Sequence, residues 1–175
     1  MKEFIYLDAS ATYQKPQLVI DAQVDFLENH YADAGRGVCA AAVAVDGMVG
    51  RVRCRVADFM NAKPDNIVFT SGTTAAMNMI VRMLDVASDT LIAVSDLDHH
   101  SARLPFVMSG GKVCLCPLNG DLNYDLDKVP CADVLLLSAM SNVMGVAQNI
   151  PEIVRIARAK NPNVVVVVDY LFPRA

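Results

Sequence analysis

A membrane-spanning stretch is the first thing these 175 residues lack, because no apolar run approaches the ~18 residues that a bilayer requires. The longest run, residues 38–45, is mostly alanine and valine and reads as core. The opening Met1-Lys2-Glu3-Phe4 carries an early acid and no long apolar segment, so no secretory signal is expected. Paired cysteine motifs are missing too: Cys39, Cys54, Cys114, Cys116 and Cys131 contain no CxxC and make an odd count. Cys114 and Cys116 alternate onto one face of an expected strand, which favours burial, and a reducing cytoplasm suits the set. Basic clusters are absent, and a net charge of −4 argues further against a nucleic-acid surface. The chain also has no internal repeat, no low-complexity tract and no linker that would divide it.

What is present is a hydrophobic share of 54% and a mean hydropathy of +0.33, high for a free-standing soluble domain. From residue 66 onward, short apolar runs alternate with helical patterns. Strands are expected at 66–70, 90–95, 112–118, 133–139 and 163–169. The last holds five consecutive valines, which suits burial on both faces of a parallel sheet. Helices are expected at 73–85, 101–109 and 150–160, with Pro151 acceptable in a first turn. This alternation predicts an α/β sheet with right-handed crossovers. Ahead of it, 15–30 and 38–62 read as helices and 1–14 as an extended arm. The organisation is therefore an N-terminal arm with helices over 1–65, followed by the α/β part over 66–175.

Four places carry chemistry. Phe69-Thr70-Ser71-Gly72-Thr73-Thr74 runs from an apolar segment into a helix. Helix starts carry free N–H groups and partial positive charge, so a phosphate fits there, although taken alone the segment reads first as a plain glycine turn with a threonine cap. No Gly-Lys-Ser/Thr follows, which excludes a Walker A loop. Asp96-Leu97-Asp98-His99-His100 follows a strand end, where α/β sheets bind ligands. It reads as a metal site for a phosphoesterase (Asp96, Asp98, His99, His100), as an imidazole stacked on a planar cofactor, or as a capped helix start. Asp169 closes the valine strand, where a carboxylate at the edge of a dry core either needs a cation or donors or is an ordinary strand-to-loop aspartate. Asn142 also follows a strand end, where its amide either meets a ligand oxygen or makes a turn before Gly145. Gly35-Arg36-Gly37-Val38-Cys39-Ala40 formally fits a dinucleotide fingerprint, but a helix rather than a strand is expected before it.

Taken in order, these segments resemble the class V aminotransferase group of pyridoxal-phosphate enzymes, which holds cysteine desulfurases and selenocysteine lyases. Tyr6-Leu7-Asp8-Ala9-Ser10-Ala11-Thr12 is similar to the opening YLDNAAT, with Gln14-Lys15-Pro16 following. Gly35-Arg36-Gly37 resembles an HRG or GRG turn, and Phe69 to Thr74 resembles FTSGTT. His99-His100 resembles EHH, and Ser141-Asn142-Val143-Met144-Gly145 resembles SNVLG. The resemblance implies the first part of a fold type I large domain, a mostly parallel sheet with flanking helices, incomplete in this chain. It implies that Thr73 and Thr74 hold the cofactor phosphate, His99 stacks on the pyridine ring, Asn142 contacts the ring hydroxyl side and Asp169 pairs with the pyridinium nitrogen. It further implies cysteine or selenocysteine as substrate, a sulfur-acceptor protein as partner, a homodimer at full length and a cytoplasmic setting.

The departures set further expectations. Asn of the opening motif is Ala9 here, Glu before the histidines is Asp98, and the glutamine three residues after the aspartate is Phe172. None of Lys2, Lys15, Lys63, Lys112, Lys128 or Lys160 follows the Ser-His context of the family's Schiff-base lysine, and none of the five cysteines fits the sulfur-accepting role by spacing. The expectation is a chain inactive alone, binding the cofactor weakly and without a covalent bond, or a non-catalytic remnant of the fold. The family's sheet order also implies that 66–70 has lost its sheet neighbours and that 163–169 lies at an exposed edge.

Overall fold

The computed structural model describes residues 5–9, 12–35 and 37–170. Ser10, Ala11, Arg36 and Phe172, which belong to the motifs above, lie outside the described residues. The chain forms two compact units, Met1–Phe69 and Thr70–Ala175.

In the first unit, helix α1 (Gln17–Asp25) continues into a π-helical turn (Phe26–His30), and α2 spans Ala40–Met60. The Cys39 sulfur accepts from the Ala42 N–H at the start of α2, and Asn61 ends it in the left-handed conformation, φ 51°. Residues 5–9 and 12–14 form no helix or strand, in line with an extended arm. The glycine-rich turn at 35–40 follows helical backbone, not a strand, so the dinucleotide fingerprint is formal only.

The strand expected at 66–70 does not form. A 3-10 turn (Pro64–Asn66) precedes it, Ile67 is extended, and Val68 and Phe69 stay exposed with no ladder partner among the described residues. Apolar residues make a strand only when a neighbour takes up their backbone groups, and here the Ile67 carbonyl is instead taken by the Arg53 guanidinium, which also lies 5.0 Å from the Phe69 ring centre.

The second unit is a four-stranded parallel sheet, β1 (Leu91–Val94), β2 (Lys112–Leu115), β3 (Val134–Ser138) and β4 (Val165–Asp169), in spatial order β2-β1-β3-β4. Three helices flank it: α3 (Thr73–Met83), α4 (His100–Val107) and α5 (Ile150–Lys160). Met77 of α3 and Ala102 and Phe106 of α4 pack with Ile92, Val94, Val134, Leu136 and Val167 on one face. Ile153 and Ala157 of α5, with Tyr124 and Val129, pack with Ala93, Leu135 and Leu137 on the other.

This two-sided cover explains why Val134-Leu135-Leu136-Leu137 is an unbroken apolar run, since every residue of β3 is buried. The five valines suggested the same for β4, but β4 is an edge strand, as the family's sheet order implied: Val165 is exposed and only Val167 and Asp169 are buried within it. Lateral position, not composition, decides its burial.

The close approach of the α4–β2 turn to β1 depends on Gly111, where a β-carbon would sit 2.9 Å from the Thr90 carbonyl oxygen and from Ile92 and Val86 side-chain carbons. The backbone oxygen cannot move aside cheaply. Gly111→Ala is expected to lower unfolding free energy by roughly 1–3 kcal/mol, read as a lower urea midpoint at unchanged slope.

Candidate functional site

In this sheet the chain leaves β1 toward β2 and then returns to the other side of β1 to form β3. The carboxyl ends of β1 and β3 therefore flank a topological switch point, where open α/β sheets hold their ligands. The residues that follow those ends are the ones the sequence singled out.

Past β1, the chain turns through Ser95 and Asp98, both buried. Asp98 Oδ2 accepts from the Ser95 N–H at 2.6 Å, and Oδ1 accepts from the Ser138 hydroxyl at 2.9 Å and from the Tyr124 hydroxyl at 3.5 Å. The Tyr124 oxygen in turn accepts from the Ser138 N–H at 2.9 Å. Burial pushes the Asp98 carboxyl up to about 6, against the lowering pull of those hydrogen bonds and of the Arg103 charge. Burial, reinforced by the Asp98 charge, drives the Tyr124 hydroxyl upward as well, and the same two causes push the Cys116 thiol up to about 12.

His99 is the next residue and caps α4. Its Nδ1 accepts from the Ser101 N–H at 3.2 Å and lies 2.7 Å from the Ser101 hydroxyl. The ring is otherwise exposed. Asp96 points elsewhere and pairs with Arg103 at 3.0 Å.

Asp169 ends β4 beside Ser138, its ladder partner in β3. The residue is 6% exposed, and Oδ2 is buried with no hydrogen-bond partner among the described residues. Burial raises its carboxyl above the ordinary range, and the nearby His99 opposes that rise. An acceptor left bare in this way is costly unless a donor reaches it.

The start of α3 has the form expected of an anion site. Gly72 holds φ +147°, a region that favours glycine, and no side chain caps the helix. Thr73 is half-buried and Thr74 exposed; Thr74 also lines a groove of about 480 Å³ between α3 and α4 with Asn78, His100 and Ser101. Asn142 lies exposed in the turn after β3, where the buried Ser141 hydroxyl accepts from the Val143 and Met144 N–H groups. Thus His99 and Asp169 come within electrostatic reach of each other, while no hydrogen bond links Thr73, Thr74 or Asn142 to them. A cleft of about 640 Å³ in the first unit, lined by Phe26, His30, Val45 and Arg55 among others, contains none of these residues.

The metal reading finds no support. Asp98 is turned inward onto Ser95 and Ser138, Asp96 is paired with Arg103, and no three metal-ligating side chains converge among the described residues. Ser95, Ser138 and Tyr124 were missed from sequence. Ser95 and Ser138 were visible as polar residues closing apolar runs, but Tyr124, 26 residues from Asp98, gave no signal.

Comparison with known proteins agrees with the fold and the motif order. The sequence model described as aminotransferase class-V matches residues 5–171. A cysteine desulfurase of Cronobacter sakazakii is 34% identical over 94% of this chain and 43% of its own length. Another, from Enterobacter sp. (strain 638), is 31% identical over the same shares. The apo structure of a cysteine desulfurase from Thermococcus onnurineus NA1 superposes with a TM-score of 0.84 at 27% identity, covering 95% of this chain and 44% of that one. A cysteine desulfurase of Escherichia coli superposes at 0.78 with 30% identity, over 93% and 44% of the two chains. The chain thus spans less than half the length of the relatives it matches.

The raised Asp98 pKa has a definite sign in stability. Between the ordinary carboxylate value near 3.8 and about 6, the folded chain binds the proton and the unfolded chain does not. Stability is therefore greatest below pH 4 on this account and falls as pH rises to 6, by roughly 3 kcal/mol. Asp98→Asn is expected to remove that fall relative to the unsubstituted protein, as measured by urea unfolding at pH 4.5 and 7.5.

Proposed function

The chain belongs to the class-V aminotransferase family, and on that premise we propose that it is the N-terminal part of a pyridoxal-phosphate-dependent cysteine desulfurase, supplying the cofactor's cup without its covalent lysine. The family depends on pyridoxal phosphate, and the residues present fit that group. The observation that carries the reading is Asp169 Oδ2, a buried acceptor at the carboxyl edge of the sheet without a donor among the described residues. A protonated pyridine nitrogen is both donor and cation, and it would offset the burial that now raises the Asp169 pKa.

Thr73 and Thr74 would hold the phosphate at the uncapped start of α3, through backbone N–H and hydroxyl groups. His99 would lie against the ring face, its imidazole oriented by Ser101. Asn142, with its amide exposed in a turn ordered by Ser141, would meet the ring hydroxyl side. When bound, pyridoxal phosphate supplies an electron sink for a substrate carbanion. Asp169 would keep the ring nitrogen protonated, the condition for that sink.

The lysines of the second unit sit at the other pole. Lys112 opens β2, Lys128 pairs with Asp125 before β3, and Lys160 closes α5 with its ammonium on the Val129 carbonyl. This arrangement supports non-covalent binding. The reading extends to cysteine or selenocysteine as substrate of the whole enzyme, to a sulfur-acceptor protein, to a homodimer and to a cytoplasmic setting. Among the described residues no helix is long and apolar enough to cross a membrane.

Titrating the 175-residue protein with pyridoxal phosphate, followed by equilibrium dialysis, tests this reading. Saturable binding is expected, weakened about tenfold or more by Asp169→Asn, which removes the charge that meets the pyridinium. Borohydride treatment is expected to leave the protein mass unchanged, and no alanine should form from cysteine. An absence of saturable binding, or a reduced adduct on a lysine of this chain, would refute the proposal.

A further inference from the structure

Asp98 touches neither face of the proposed cofactor cup, yet its partners lie on both sides of it. Its carboxylate joins the Ser95 N–H, at the end of β1, to the Ser138 hydroxyl, at the end of β3, and so spans the switch point. His99 is bonded directly to Asp98 along the chain. Asp169 is the ladder partner of Ser138. Tyr124, arriving from the β2–β3 connection, closes the cluster by accepting the Ser138 N–H while its own hydroxyl points at Asp98 Oδ1. One buried carboxylate thus lies one covalent step from His99 and, through Ser138, one hydrogen bond and one ladder pairing from Asp169, the two side chains that would grip the ring.

From this geometry we infer that Asp98, with Ser138 and Tyr124, is the positioning residue of the cup, fixing His99 and Asp169 relative to each other. The inference rests on the cofactor reading above for its ligand, though not for its geometry. Removing the carboxylate leaves the Ser95 N–H buried without a partner and frees the carboxyl end of β3 from that of β1. The backbone of His99 then loses its anchor, and the Nδ1 acceptor role toward Ser101 is no longer enforced. The charged and titratable groups facing Asp98 are Arg103 from α4, Cys116 from the end of β2 and Tyr124 from the β2–β3 connection. Asparagine has the same shape and can still accept from Ser95 while its amide meets the Ser138 oxygen, so it should preserve the tie.

The test compares Asp98→Ala, Asp98→Asn and Ser138→Ala in the 175-residue protein by two readouts. The first is the imidazole ¹H–¹⁵N correlation spectrum of His99, which reports whether Nδ1 remains the acceptor. The second is the dissociation constant for pyridoxal phosphate. Asp98→Ala is expected to average the His99 tautomers and weaken binding about tenfold or more, the scale of losing hydrogen bonds to a charged group at a supporting residue. Ser138→Ala should move both readouts in the same direction by less, and Asp98→Asn should restore them. Val134→Ala, a cavity at the amino end of β3 on the face that does not hold Tyr124, should lower stability while moving neither.

Unchanged His99 resonances in folded Asp98→Ala would overturn the inference, as would equal effects from Val134→Ala. Should Asp98→Ala fail to fold, Ser138→Ala decides alone: an unperturbed His99 spectrum in it overturns the inference. If the unsubstituted protein binds no pyridoxal phosphate, the cofactor reading fails while the His99 spectra still judge the role of Asp98.

Discussion

The second unit depends on how a carboxylate is kept inside a parallel sheet. Asp98 is buried where two strands diverge, and the desolvation this entails is met by one backbone N–H and two hydroxyls from distant parts of the chain. Those donors must converge for the fold to tolerate the charge. Strand order, the path of the β2–β3 connection and the placement of Tyr124 are all conditions of that convergence. The result is a rigid base to the crevice, made by polar contacts at the one level of the sheet where apolar packing stops.

A second carboxylate, one strand further along, is treated in the opposite way. Asp169 is comparably buried, yet its Oδ2 has no hydrogen-bond partner among the described residues. Asp98 is a satisfied buried acid with its donors inside the chain, and Asp169 is one whose Oδ2 has none among the described residues. That contrast is what the proposed role of Asp169 rests on.

Much of this was legible in the sequence because local pattern and tertiary environment agree. The apolar runs that became β1 and β3 are buried on both faces, and Pro151 and Asn149 open α5 in the usual way. The order of strand ends placed His99, Asn142 and Asp169 at one side of the sheet before any coordinates. Two things periodicity did not carry, and only the family's sheet order implied them. Residues 66–70 have strand composition, but a strand exists only with a neighbour, and periodicity cannot report a neighbour's absence. The valines of β4 say nothing of lateral position, and their edge exposure follows from the strand order. Tyr124 illustrates a third limit: a hydroxyl that completes a site from 26 residues away carries no local mark.

The open side of β4 has a directional consequence. In the described unit its outer row of N–H and C=O groups is unclaimed by any strand, and every strand already in the sheet runs the same way. A segment that docks there in parallel brings its own carboxyl end, and whatever loop follows it, up to Asp169 and the crevice. One that docks antiparallel delivers its amino end instead. The polarity of the next strand, set by backbone alone, therefore governs which chemical groups can reach the bare oxygen from that side.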